Sequence, residues 1–255
     1  MNRTFLVAKR GGESPPEFDQ TISRVADLYH ARQIFAAVRS VEELSSGAAN
    51  TSAASASTPN GVSGTGNPQL KSILLVGEFV SAVCDKGHEA DVIVVWHTSL
   101  AGPDGKPSGE EMANFVRQAP RPVWLVREPI RFPEHVLVAY DGSVHSGRAL
   151  HMAANLAETV GARLTVLNVD ESRDAVAQDL ILTRAAGYCD AYEITMERVG
   201  IFGGAADSIQ HYAETSKCDL LVVGAAGVGY LRGLLFGSVA GQLIARAPCS
   251  VLVAK

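Results

Sequence analysis

The sequence predicts an α/β protein: one domain repeated in tandem, each copy built on a five-stranded parallel sheet. Three observations carry this. An internal repeat runs through the chain. The better-preserved copy alternates apolar strands with amphipathic helices. The length of 255 residues, 47% of them hydrophobic, suffices for two cores of ordinary size.

The repeat keeps two spacings. Asp91-Val-Ile-Val-Val matches Asp219-Leu-Leu-Val-Val at an offset of 128, as do Ala119-Pro120 with Ala247-Pro248 and residues 123–126 with 251–254. The opening segments match at 131: residues 5–8 (FLVA) fall on 136–139 (VLVA), and Ala31-Arg32 on Ala162-Arg163. Two prolines, Pro129 and Pro133, interrupt regular structure between the copies. The expected domains are therefore 1–128 and 133–255.

The second copy is read element by element. Residues 135–139 are an apolar strand. Residues 146–160 carry Ala149, Ala153, Leu156, Ala157 and Val160 on one helical face, and Gly161 stops the helix. Residues 164–169 are strand, 172–186 helix, and 192–199 strand by alternation. Helix follows at 206–215, with Ile209 and Ala213 on one face, then strand at 220–223, helix at 239–246 and strand at 250–254. Near-continuous apolar strands between helices imply a parallel sheet covered on both faces. Ligands of such sheets bind beyond the carboxyl ends of the strands, where the strand order reverses.

The first copy departs at residues 45–69, almost all Ser, Ala, Gly, Thr, Asn and Pro. This stretch stands in place of the helix at 172–186. It lacks the large apolar side chains that would offset the entropy of ordering, so it is expected to be a mobile loop.

Bulk properties exclude several classes. The net charge is −5, with acids and bases spread over both halves, so no basic face points to nucleic acid. Cys84, Cys189, Cys218 and Cys249 lie far apart without a CxxC pair, and read as small buried hydrophobes in a reducing, cytoplasmic setting. The opening apolar run is too short for a signal peptide, and no stretch approaches the roughly 18 apolar residues of a membrane span.

The chemistry lies after the fourth strand of the second copy. Gly224-Ala-Ala-Gly227 is followed, nine residues on, by Gly237-Ser238 and a helix. Glycines let backbone come close to a ligand. The first-turn N–H groups of the helix, with its dipole, make an anion site, and Ser238 either caps the helix or meets a phosphate. The loop is not a Walker A motif, because no Lys-Ser/Thr pair follows the glycines. It is not a dinucleotide fingerprint, because Arg232 stands where a third glycine belongs. Taken alone, it reads equally as a ligand-free connection. A second group joins it: the first strand of this copy leads into Tyr140-Asp141-Gly142-Ser143. A carboxylate there accepts from a ribose hydroxyl or an adenine amine if the first and fourth strands are neighbours, and otherwise only caps the next helix.

Asp141, the GxxG–nine residues–GS spacing and the closing strand APCSVLVAK resemble the universal stress protein family, well over 132–255 and as a degenerate copy before that. The resemblance implies a Rossmann-like (adenine nucleotide alpha hydrolase-like) fold and ATP, with or without Mg2+, or a related adenine nucleotide. It implies Asp141 at the base or ribose, Val169 backbone at adenine, and Gly224, Gly227, Gly237, Ser238 and Val239 around ribose and phosphates. Ala139 stands where the family often has proline, two residues before the aspartate. The resemblance also implies that residues 123–126 and 250–254 pair antiparallel as an internal pseudo-dimer, with a homodimer as a further step.

The first copy serves as an internal control. At the 128 offset, Trp96 replaces Gly224, Ser99 replaces Gly227 and Glu110 replaces Ser238; at 131, Arg10 replaces Asp141. An indole and a carboxylate at a phosphate site disfavour ATP. The first copy is thus expected to have lost the site, with Trp96 filling the vacated space. Three functions compete: a nucleotide-binding regulatory protein, a slow ATP hydrolase and a nucleotide-free interaction scaffold. Hydrolysis wants metal ligands and a positioned base. Ser143, His145 and Arg232 are nearby, but no second carboxylate has metal-binding spacing, so a dedicated enzyme is not indicated. The intact motif beside a degraded copy favours binding over a bare scaffold.

Overall fold

A computed structural model describes residues 3–11, 14–46, 70–102, 105–225 and 238–255. The first half contains β1 (Thr4–Arg10), α1 (Pro16–Leu28), β2 (Arg32–Arg39), α2 (Val41–Ser46), β3 (Leu70–Val76), α3 (Phe79–Gly87), β4 (Val92–Trp96), α4 (Gly109–Gln118) and β5 (Val123–Val126). The second half contains β6 (His135–Ala139), α5 (Val144–Val160), β7 (Arg163–Asp170), α6 (Ala175–Cys189), β8 (Met196–Phe202), α7 (Ala205–Thr215), β9 (Leu220–Gly224), α8 (Ser238–Arg246) and β10 (Ser250–Ala254).

The strands line up as β3-β2-β1-β4-β5-β10-β9-β6-β7-β8. Each half is parallel and reverses its order beside its own first strand, between β1 and β4 or between β6 and β9. The two spacings of the repeat are visible in the ladders. Phe5 pairs with Val92, and Val136, 131 residues after Phe5, pairs with Leu220, 128 after Val92. The halves join through antiparallel β5 and β10, where Leu252 faces Trp124. Those two residues are themselves 128 apart, so the pseudo-twofold axis of the molecule passes between them.

Local chemistry explains the elements. The buried runs of β4, β5, β6 and β9 are apolar on both faces because helices cover both. One face is covered by α1, α5 and α6, through residues such as Phe18, Ala153 and Leu182. The other is covered by α3, α4, α7 and α8, through Phe79, Phe115, Ile209 and Leu243. Helix α5 starts on Ser143, whose Oγ accepts from Ser146 N at 3.2 Å, and stops on Gly161 in the left-handed region, φ 72°. Among the described residues no helix is long and apolar enough to cross a membrane. The four cysteines are free thiols, three of them buried.

The largest departures from expectation are α6 and β8, which run Ala175–Cys189 and Met196–Phe202 instead of 172–186 and 192–199. Helix α6 begins at Ala175 rather than 172. Asp170 gathers the N–H groups of Ser172 and Asp174 into a turn, and Asp174 then caps the helix by accepting from Val176 N and Ala177 N, each at 3.0 Å. Strand β8 begins at Met196 rather than 192, because Tyr192 N still donates back to the Cys189 carbonyl in a turn. Of the stretch 45–69, the first two residues close α2 and those from 47 to 69 lie outside the described residues.

The halves also cap each other. Arg127 donates to the carbonyls of Ile244 and Ala245 at the end of α8. Lys255 donates to the carbonyl of Arg117 at the end of α4, at 3.3 Å. Both the donors and the acceptors are related by the 128 offset.

Candidate functional site

At the carboxyl ends of β6, β7 and β9, the first turns of α5, α7 and α8 enclose a cleft of about 630 Å³, open mouth included. Its apolar wall is Leu167, Val169, Ile209, Val223 and Leu243; its polar rim is Asp141, Ser143, His145 and Ser146. The cleft lies at the switch point between β6 and β9, so the strand-neighbour condition set by the sequence is met.

Asp141 stands just past the end of β6. Its Oδ1 accepts from Ser146 Oγ at 2.6 Å and from Ser143 N at 2.9 Å. Ser143, not Asp141, caps α5, so Asp141 is not needed for that purpose. Burial would raise the carboxyl's pKa, but the hydrogen bonds from Ser146 and Ser143 outweigh it and hold the group below the usual carboxylate range. Asp141 is therefore a fixed anion. Among the described residues no donor reaches Oδ2.

Val169 offers backbone. The last rung between β6 and β7 is Tyr140 N donating to the Leu167 carbonyl at 2.9 Å. Strand alternation puts the N–H and C=O of Val169 on the same edge as those of Leu167. There β6 has already turned away, with Asn168 Nδ2 tying the Tyr140 carbonyl at 2.7 Å. Val169 thus presents a donor and an acceptor to the cleft.

Gly224 ends β9 and lines the cleft, but its missing side chain serves a protein neighbour. A Cβ there would meet the backbone C and O of His145 at 2.5 Å. Glycine at this position lets β9 pack against the first turn of α5. Val239 lines the cleft from the first turn of α8, and Ser238 is the first residue of that helix. Gly227 and Gly237 lie outside the described residues. Two contributors escaped the sequence reading. Ser146 looks like an ordinary first-turn residue, and Asn168 had only one signal, a lone amide in the apolar run LTVLNVD.

In the first half the expected filling of the cleft by Trp96 is not what the structure has: its indole lies on the α1 face of the sheet, whereas the equivalents of the cleft wall, Ala36, Val38 and Val95, lie on the opposite face. Trp96 is 4% exposed and packs on Phe18 of α1, ring centroids 5.6 Å apart. Arg10, in the place of Asp141, donates its backbone N–H to Ser99 Oγ and its Nε–H to the Ser99 carbonyl, both at 3.1 Å. Its guanidinium also lies over Phe79, 5.3 Å from the ring centre. Glu110 is exposed in the first turn of α4.

Comparison with known proteins agrees with the fold. The profile of the universal stress protein family matches residues 133–186 and 173–255, both within the second half. A universal stress protein of Thermus aquaticus is 32% identical over 133 residues, covering 47% of this chain and 97% of that protein. One of Mycobacterium tuberculosis is 27% identical over 205 residues, covering 73% of this chain and 69% of its own length. Among solved structures, a universal stress protein from Archaeoglobus fulgidus superposes with a TM-score of 0.69 at 17% identity, over 98% of both chains, a likeness of fold. With the strand order, the repeated half and these relatives in agreement, the chain belongs to the universal stress protein family.

Proposed function

We propose that this protein is a nucleotide-binding stress-response regulator that takes ATP or a related adenine nucleotide in the domain formed by residues 133–255. The observation that carries the reading is the convergence on one cleft of a fixed carboxylate, an open backbone edge and a helix N-terminus. Asp141 Oδ2 accepts from a ribose hydroxyl or the adenine amine. Val169 N–H and C=O match the donor–acceptor edge of adenine. The apolar wall of Leu167, Val169 and Ile209 takes the base. The first turn of α8, around Ser238 and Val239, offers the phosphates N–H groups that have no partner within the helix, and Gly227 and Gly237 are taken to leave the backbone uncrowded there. Any Mg2+ sits on the phosphate side; among the described residues no cluster of carboxylates or histidines forms a separate metal site.

The domain formed by residues 1–128 acts in this reading as a structural partner without a second nucleotide. Arg10, bonded to Ser99 and lying over Phe79, stands where Asp141 stands in the second half. Calorimetric titration with ATP tests the whole proposal. About one nucleotide per chain is expected. Two equivalent sites, or no binding by a folded protein, overturn it. Gly227→Trp, which puts an indole on the glycine loop, is expected to abolish binding while leaving the fold intact.

A further inference from the structure

Helix α6 is apolar on both of its sides. The inner side packs onto β7 and β8 through Leu182, Ala185 and Cys189. The outer side carries Val176, Leu180 and Tyr188, which are 80%, 59% and 44% exposed. Among the described residues no other helix exposes three large apolar side chains. Together with Arg184 these residues recur at intervals of four, so they form one continuous ridge along the helix. Apolar residues exposed singly are ordinary, but a ridge of them is the mark of a surface that another element covers.

The charges beside the ridge are divided between its two ends. Asp179 adjoins Leu180 in the first half of the helix. Arg184 stands in the second half, and Arg148 of α5 lines the same groove as Arg184, in which no acidic side chain takes part. All three charged residues are exposed, and none has an ion-pair or hydrogen-bond partner among the described residues. Five residues of separation turn Asp179 and Arg184 about 140° apart on their own helix, out of position to pair.

An antiparallel copy of the same ridge fits this surface. Two-fold pairing level with residue 182 sets Val176 of one chain opposite Tyr188 of the other, and Leu180 opposite Arg184. Settling such i±4 ridges into matching grooves is the commonest way for helices to pack. The aliphatic stem of Arg184 then covers Leu180, and its guanidinium reaches Asp179 across the axis. Each contact occurs twice, as an interface between identical patches requires. A parallel arrangement would set Asp179 on Asp179 and Arg184 on Arg184. An acidic helix from another protein would answer Arg148 and Arg184 but would face Asp179 with like charge.

We infer that α6 is a homodimer interface: the ridge of Val176, Leu180, Arg184 and Tyr188 packs antiparallel on the same ridge of a second copy of this chain, with Asp179 of each chain paired to Arg184 of the other. The occupant is a second copy because the surface is complementary to itself in both shape and charge. This contact is separate from the β5–β10 seam within the chain, and no residue of α6 lines the nucleotide cleft, so it stands apart from the nucleotide reading.

Sedimentation equilibrium of the full chain tests it. Wild type is expected to pass from monomer to dimer between about 1 and about 500 µM. Leu180→Glu, carried twice by the two-fold, is expected to weaken dimerisation at least about hundredfold. Asp179→Arg and Arg184→Asp each set like charges opposite one another, and each alone is expected to stay monomeric over the same range. Mixed in equal amounts they are expected to form a heterodimer, because opposite charges then face each other at both contacts. All three positions are exposed, so the variants are expected to keep the fold, checked by circular dichroism. A wild type that stays monomeric to about 500 µM, a dimer that Leu180→Glu leaves unchanged, or a mixture without heterodimer overturns the inference. The mixture decides it even if Leu180→Glu fails to fold.

Discussion

Arg10 and Ser99 are bonded twice, backbone N–H to hydroxyl and Nε–H to carbonyl, each at 3.1 Å. They occupy the places that Asp141 and Gly227 hold in the second half. Their mutual contact ties the end of β1 to the turn after β4.

Arg10→Ala is accordingly expected to cost about 1–2 kcal/mol of stability, the range for losing a side-chain hydrogen bond and a cation–π contact. Nucleotide stoichiometry is expected to stay at one. Urea unfolding and calorimetry on the same sample check both halves of the statement.

Gly224→Ala places a methyl group 2.5 Å from the His145 backbone. The first turn of α5 must move away. Overpacking of this kind costs about 1–3 kcal/mol. Because that turn carries Ser143 and Ser146, which hold Asp141, nucleotide affinity is expected to fall with stability. A variant that unfolds at the wild-type urea concentration and binds ATP normally contradicts this coupling.

Ser146→Ala removes the 2.6 Å donor to Asp141. The Asp141 carboxyl is expected to titrate higher, measured by carbon-13 NMR of the labelled carboxylate. The sign follows from linkage. The folded-state pKa is lowered, so the contribution of Asp141 is complete above the ordinary aspartate value of about 3.9 and is lost as pH falls through the lowered value. Wild type is expected to keep this contribution at more acidic pH than Ser146→Ala does.

Arg127 caps the end of α8 through the carbonyls of Ile244 and Ala245, and its guanidinium also reaches Met112 Sδ. Arg127→Ala is expected to destabilise by about 2–3 kcal/mol, as for buried charge-assisted bonds. Its pseudo-twofold counterpart, Lys255→Ala, loses one exposed bond and is expected to cost less than about 1 kcal/mol. Thermal melts of the two variants compare them directly.

The sequence made the sheet legible because apolar runs such as residues 220–223 are long and bounded by turn residues, and because the two offsets had to reappear as strand pairings. The antiparallel seam was expected through family resemblance and is present as Leu252 against Trp124. The misplaced start of α6 came from a polar turn that Asp170 organises with backbone N–H groups, which hydrophobic periodicity cannot register. At the site, Asp141 was readable because a carboxylate after an apolar strand is conspicuous. The reason for Gly224 was not. Its neighbour, the His145 backbone, is 79 residues away in sequence and meets it only once β6 and β9 lie side by side. Ser146 and Asn168 act by orienting other groups, which leaves little trace in residue type.

The β5–β10 seam has an evolutionary consequence. In an assembly of two identical chains, every substitution appears twice, so a mutation that blocks one pocket blocks both. Here the partner across the seam is encoded separately. Trp96 could be fixed without inflicting an indole on Gly224, and Arg10 without inverting the charge of Asp141. On the proposed one-site reading, a separately encoded copy is free of selection for ligand recognition while its edge strand stays under selection as a docking surface for the other. Relatives built on the same tandem plan are expected to differ in which half has been released, and the strand facing the seam is expected to drift least in both.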